Sequence, residues 1–229
     1  MENYRIYITA VLLIILIVLT VRFYFRDHHA ANIKITTRFI VRVAIFGAIA
    51  AVLYIFIKFP IPIFPAFMEF HFDEIPILIA GFAYGPLAGF AVTVVKTLIK
   101  LPMTSTMGVG ELCDFLYTSA FVIPAAFVYK RHRNIKGAIF GLLIGMVAQL
   151  VAAILGNMFI IIPFYMRVME YTEGDILYLC QKANAGIKDL KWTYSLFAVL
   201  PFNAIKDVGI IVATFMVYKT TRKFIEKLQ

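Results

Sequence analysis

The residues of this chain best suited to chemistry are polar groups set inside long apolar stretches. Lys206 and Asn203 stand three apart in the run Pro201-Phe-Asn-Ala-Ile-Lys-Asp207, so a helix through them carries both side chains on nearly one face. Lys206 lies 12 residues beyond Tyr194, where that apolar stretch begins, or about 18 Å of helical rise. A charge at mid-bilayer costs at least ~2.5 to 3.5 kcal/mol on insertion scales, so such a lysine faces the interior of a helix bundle. There it either donates to a bound molecule or pairs with Asp207 or with a carboxylate on a neighbouring helix. Pro201 frees backbone groups beside Asn203, which suits a cavity wall. Asn157 lies 7 residues before Phe164, roughly 10 Å from the end of its own apolar stretch, at a depth comparable to that of Asn203 and Lys206. Each amide presents a donor and an acceptor in one plane, which fits the polar edge of an uncharged ligand; its other use is a hydrogen bond that glues two helices together.

Glu111 and Asp114 share a helix face by their three-residue spacing. They can accept from ligand hydroxyls, balance Lys96 or Lys206, or sit solvated at a helix start, where the dipole favours acids. No GxxxxGKS/T phosphate loop, no HExxH and no Ser/His/Asp set singled out by spacing accompanies them. With neither a nucleophile nor a metal motif beside the carboxylates, the chain does not read as an enzyme, and no catalytic residue, cofactor or metal is expected. Cys113 and Cys180, 67 residues apart, match neither a CxxC site nor a disulfide framework and read as packing residues.

These positions are carried by a chain of 229 residues that is 62% apolar and 15% charged. A soluble domain is about half apolar and a quarter charged, and here the apolar runs are long enough, at ~20 residues per crossing, to span a bilayer. Spans are read at residues 6–25, 39–57, 112–129, 137–164 and 194–218. They leave no room for a nucleotide-binding domain, so any ATP chemistry comes from a partner. The first stretch is long and ends on Arg22 and Arg26, unlike a cleaved signal peptide.

Residues 73–101 are interrupted by Gly85-Pro86, and a proline inside a helix removes a donor and clashes with the preceding turn. Basic residues cluster in three segments: Arg26, Lys34, Arg38 and Arg42; Lys130, Arg131, Arg133 and Lys136; and Lys219, Arg222, Lys223 and Lys227. The positive-inside rule puts all three in the cytoplasm, which requires residues 73–101 to cross twice, as helices over about 73–84 and 86–101. At ~18 and ~24 Å these fall short of the ~30 Å hydrocarbon core, so protein must cover their ends or a cavity must open there. The fold class is all-α integral membrane. One extra N-terminal transmembrane helix and its linker occupy residues 1–36, and a six-helix substrate-binding membrane domain occupies 37–229, with the N-terminus outside and the C-terminus cytoplasmic.

The outer loops differ in character. Residues 58–73 open with Pro60, Pro62 and Pro65, which hold an extended path, and then alternate Phe67, Glu69 and His71 against Met68, Phe70 and Phe72, the pattern of a short strand or hairpin. Such an aromatic loop reads as a lid, with Phe67, Met68 and Phe70 placed to touch a ligand. Residues 102–110 read as a flexible connection into Glu111. Residues 166–192 balance four basic against four acidic side chains and read as a solvated loop. In the second span Ala44 with Ala48, and Gly47 with Ala51, repeat at four-residue spacing and permit close helix approach, either within the bundle or to a membrane partner.

The run KFPIPIFPAFMEFHFDEIPILIAGFAYGPLAGFAVTVVKTLIK, followed by GELCDFL, closely resembles the substrate-binding S components of energy-coupling factor (ECF) vitamin transporters, specifically the riboflavin-binding members. The resemblance covers about residues 37–220, with the Pro-rich loop, the Asp-Glu-Ile-Pro entry, the GPLAG turn and the final Asn-x-x-Lys in the same order. It implies capture of riboflavin from outside, with association to a membrane coupling subunit and two ATPase subunits in the cell membrane, and no nucleic acid partner. It implies polar ligand contacts at Asn157, Asn203 and Lys206 and a coupling interface at Ala44 and Ala48. Glu111-Leu-Cys-Asp114 departs from the amide-bearing version of the riboflavin members. Two amides and one cation suit the neutral flavin edge better than a dianion, so flavin mononucleotide is disfavoured. Competing readings are the same fold for another vitamin, such as pantothenate or a thiamine precursor, a stand-alone secondary transporter, for which Asp207 is the one clear mid-membrane acid, and an integral membrane enzyme.

Overall fold

A computed structural model describes residues 36–228; the extra helix expected at residues 6–25 lies outside them. Thr36 caps the first helix, α1 (Thr37–Phe56), by accepting the Phe39 N–H at 3.3 Å. Beyond it β1 (Lys58–Pro60) and β2 (Glu69–His71) form an antiparallel hairpin in which Lys58 faces His71 and Phe59 faces Phe70. The hairpin expected from the prolines and the alternation is therefore present, and the Phe59 and Phe70 rings stack at 5.3 Å.

Two short helices follow, α2 (Glu74–Tyr84) and α3 (Pro86–Lys100), parted at Gly85. Gly85 has φ +94°, a value that a residue with a Cβ rarely adopts, and Pro86 starts α3 where its missing N–H costs nothing. The 11 residues of α2 rise only about 16 Å, yet nine of them are buried. Protein surrounds this helix: Ile77, Leu78 and Phe82 pack with Val92 of α3, Phe121, Val122 and Tyr129 of α4 (Val109–Arg131), Leu142 of α5 (Ile135–Gly156), and Ile210 and Tyr218 of the last helix. Its ends are covered by other helices, as the length argument requires.

α5 runs through a π-helical turn, Asn157–Ile161, into α6 (Ile162–Arg167). The last span begins with α8 (Trp192–Tyr194), passes a second π-helical turn, Ser195–Val199, and continues as α9 (Leu200–Leu228). Among the described residues five helices are long and apolar enough to cross a membrane, and α2 is a sixth, shorter apolar helix.

Residues 166–192 are more than a solvated loop. They hold α7 (Glu173–Ala183), started by a capping box in which Thr172 and Asp175 each satisfy the other's backbone N–H. The Thr172 hydroxyl and then its N–H, both donating to Asp175 Oδ2, keep that exposed carboxyl below its usual range. Ile176 and Cys180, four residues apart on one face, enter an apolar cluster with Ile187, Leu190, Tyr194 and Phe202, and with Phe64 and Met68 of the hairpin loop. The balanced charge of the segment masks this narrow apolar stripe. Cys180 lies in that cluster and Cys113 in a smaller one with Val109, Leu116 and Ile160; both are free thiols, as packing residues.

Candidate ligand-binding pocket

The hairpin loop, the start of α4, the π-helical turn after α5 and the start of α9 converge on one cavity of about 230 Å³. Seven of the eight residues expected to meet a ligand line it: Asn157, Asn203, Lys206, Phe67, Met68, Glu111 and Asp114. Tyr54, Tyr117, Tyr165 and Phe202 add aromatic surface. Phe70 does not reach it; the ring is held between Phe59 and Phe72. Alternation along β2 sends Phe70 to the opposite side from Glu69 and His71, both of which line the pocket.

The two amides are fixed by their own helices. Asn157 Nδ2 donates to the Ala153 carbonyl at 2.9 Å and lies 3.3 Å from Tyr117 Oη, while its Oδ1 accepts from Tyr194 Oη at 3.1 Å. Asn203 Nδ2 donates to the Val199 carbonyl at 2.8 Å. A π-helical turn adjoins each asparagine. Such turns insert one residue into the helical ladder and recur where helices build a site.

The charged groups form a buried network. Lys206 Nζ donates to Glu74 Oε1 at 3.0 Å and lies 3.4 Å from His71 Nε2. It therefore lines the cavity and at the same time pairs with a carboxylate of a neighbouring helix, as the second of its sequence readings expects. The pairing with Asp207 does not form. Asp207 is fully buried and neither carboxylate oxygen has a hydrogen-bond partner among the described residues.

Glu111 and Asp114 are not solvated helix-start acids, since only 4% and 9% of them is exposed. Glu111 is met by Lys100 at 3.3 Å, Thr104 Oγ1 at 2.6 Å and Thr106 Oγ1 at 3.2 Å. Asp114 is bonded by Lys96, whose ammonium also reaches Asp73 Oδ2 at 2.7 Å and sits 4.6 Å from the Tyr54 ring centre. The counter-charge role expected of Lys96 is the observed one. His71, bonded to Asp73 and 3.5 Å from Asp114, completes a group of three residues, one imidazole and two carboxylates, of the kinds that ligate metals. Its two carboxylates both hold the Lys96 ammonium.

Several members of this network escape a reading of the sequence. Asp73 and Glu74 open an apolar helix, the usual place for solvated acids, but α2 starts inside the bundle and both are fully buried. Asp207 is thus one of several fully buried acids, with Asp73 and Glu74. The signal within the sequence was the shortness of α2 itself.

On α1, Ala44 and Ala48 are exposed, whereas Gly47 and Ala51 are buried. A Cβ on Gly47 would stand 2.5 Å from Val95 Cγ1, so the Gly47/Ala51 pair is consumed in packing α1 on α3. Ala44 and Ala48 face outward among Ile40, Ile45, Ile49 and Val52.

A helical membrane bundle with an internal pocket of aromatic walls and a few fixed polar groups is built to bind a small molecule. The chain belongs to the ECF transporter family of substrate-specific components, whose family model matches residues 38–218. It is 31% identical over 189 residues to the riboflavin transporter RibU of Staphylococcus aureus, covering 82% of this chain and 93% of that one. It is 29% identical over 191 residues to the riboflavin transporter FmnP of Bacillus subtilis, covering 82% and 94%. Among solved structures, the S component of a bacterial ECF transporter matches with a TM-score of 0.64 and 29% identity over 82% of this chain and 96% of the other.

Proposed function

We propose that this chain is a riboflavin-binding S component: it captures the vitamin from outside the cell and passes it inward, driven by ATP hydrolysis in partner subunits. The observation that carries the reading is the convergence of Asn157, Asn203 and Lys206 on one aromatic-walled pocket in a chain whose relatives in two organisms are named riboflavin transporters. The flavin tricycle is flat and apolar on its faces, which suits Tyr117, Tyr165 and Phe202. Its pyrimidine edge alternates acceptors and a donor, which suits an asparagine amide, and Lys206 donates to a carbonyl or to a ribityl hydroxyl. Phe67 and Met68, on the loop between β1 and β2, close over the bound molecule.

Ala44 and Ala48 meet a membrane coupling subunit, to which two ATPases attach; exposed small residues on a spanning helix permit the close approach that such packing needs. The N-terminus lies outside and the C-terminus in the cytoplasm, a topology that the three basic clusters support. The substrate is transported unchanged, without a catalytic step. The test is the absorption and fluorescence spectrum of the detergent-purified chain expressed in riboflavin-containing medium. A near-stoichiometric quenched flavin is expected. A colourless protein that also fails to bind added riboflavin rejects the ligand and calls for a panel of other vitamins.

A further inference from the structure

Each lysine ammonium that lines the pocket already has a carboxylate. Lys58 Nζ lies 2.6 Å from Glu69, Lys100 Nζ 3.3 Å from Glu111, and Lys206 Nζ 3.0 Å from Glu74. Behind the wall Lys96 bridges Asp73 and Asp114. Four lysines thus meet five carboxylates, with His71 set against Asp73 and Asp114. Whether that imidazole is neutral or charged, the set holds no excess positive charge.

The pair at Lys206 differs from the others that line the pocket. Lys58 and Glu69 are 33% and 40% exposed, so water and salt screen them. Glu111 is held by Thr104 and Thr106 of its own loop. Glu74 is fully buried, outside the pocket wall, and its Oε1 lies 3.4 Å from Thr118 Oγ1 of α4 and 3.5 Å from Gln149 Nε2 of α5 as well as bonding Lys206 of α9. Donors from three helices converge on one carboxylate oxygen, and that oxygen fixes where the ammonium stands. An ammonium has three protons to donate; with one on Glu74, others remain for a ligand.

We propose that Glu74 is the positioning residue of this pocket: it aims and neutralises Lys206, so that the site takes an uncharged ligand bearing carbonyls and hydroxyls and discriminates against its phosphate monoester. A phosphate brings about −1.5 to −2 charges at pH 7 to a wall without a spare cation, where burial strengthens the repulsion. The inference rests on the riboflavin reading above.

The experiment titrates riboflavin and riboflavin 5′-phosphate, by quenching of flavin fluorescence, into the purified full chain and its variants. The wild type is expected to bind riboflavin at least about tenfold more tightly than the phosphate. Glu74→Gln keeps an acceptor for Thr118 and Gln149 but leaves Lys206 unpaired, so riboflavin weakens and the preference shifts toward the phosphate by about tenfold or more. Glu74→Asp keeps the charge but withdraws it by one methylene; riboflavin weakens and the preference stays as in the wild type. Adding Lys206→Gln to Glu74→Gln returns the preference to the wild-type value. A purely structural Glu74 would weaken both ligands by the same factor in every variant, and that result overturns the proposal. Equal affinities in the wild type overturn it without any variant, which covers the case in which Glu74→Gln fails to fold. A wild type that binds neither flavin rejects the riboflavin reading itself, and this inference with it.

Discussion

Lys206 and Glu74 are 132 positions apart in the chain and 3.0 Å apart in the fold, and the contact joins the pocket wall to the most enclosed helix of the bundle. Because α2 is buried along nearly its whole length, the carboxylate at its start cannot turn to water, and the lysine at mid-span cannot turn to lipid. Each offsets part of the other's cost of burial. Lys206→Ala is therefore expected to lower riboflavin affinity by about 1–3 kcal/mol and the melting temperature as well, since Glu74 loses its ion partner. Asn203→Ala, whose loss strands no charge, is expected to weaken binding by a similar ~1–3 kcal/mol with the melting temperature held. Titration beside a thermal melt separates the two, and unchanged affinity in both variants removes these residues from the pocket assignment.

Lys96 holds Asp73 and Asp114 together, with the lysine and Asp73 fully buried and Asp114 9% exposed at the pocket wall. Removing one partner of a buried pair costs about 3–5 kcal/mol, so Lys96→Met should yield little folded protein in detergent, and Lys96→Met with Asp114→Asn should recover part of it. Gel filtration of both variants decides; full yield of the single variant contradicts the account.

Asp207 presents the opposite case, a buried carboxyl whose two oxygens meet no donor among the described residues. Asp207→Asn replaces a buried carboxyl that no donor there compensates with an amide of the same shape. The expected result is unchanged riboflavin affinity and a melting temperature equal to or above the wild type; a clear loss of stability would mean that the carboxylate has a partner.

The two small-residue pairs on α1 should separate cleanly on mutation. Ala44→Trp and Ala48→Trp point outward and are expected to leave riboflavin binding intact while abolishing uptake by cells. Gly47→Trp drives into Val95 and is expected to lose folded protein before any partner is involved. Normal uptake by both alanine variants would free that face of a coupling role.

The capping box of α7 offers a local test. Thr172→Ala removes the acceptor for the Asp175 N–H and is expected to cost about 1 kcal/mol, read as faster amide exchange confined to residues 173–183. Global unfolding in its place would mean that α7 is integral to the core rather than a cap on the outer cluster.

Much of the arrangement was legible before any coordinate. Apolar run lengths mark the spans, because the bilayer imposes a fixed thickness, and the break at Gly85-Pro86 together with the basic clusters demands two short helices where hydropathy shows one stretch. Asn157, Asn203 and Lys206 stand out because lipid does not tolerate such groups, so their presence alone implies a shared interior. The register of α1 could not be read this way, since Ala44/Ala48 and Gly47/Ala51 have the same spacing and only the packing of Val95 on Gly47 separates them. Nor could Asp73, Glu74 and the apolar stripe of α7. An acid at a helix start is solvated or buried according to what surrounds that end, and a stripe of two residues carries no weight until a partner surface meets it. Local spacing determines which residues share a helix face; which faces meet, and hence which carboxylate holds which lysine, depends on packing between separate elements, 18 and 23 positions apart for Lys96 with Asp114 and Asp73 and 132 for Lys206 with Glu74.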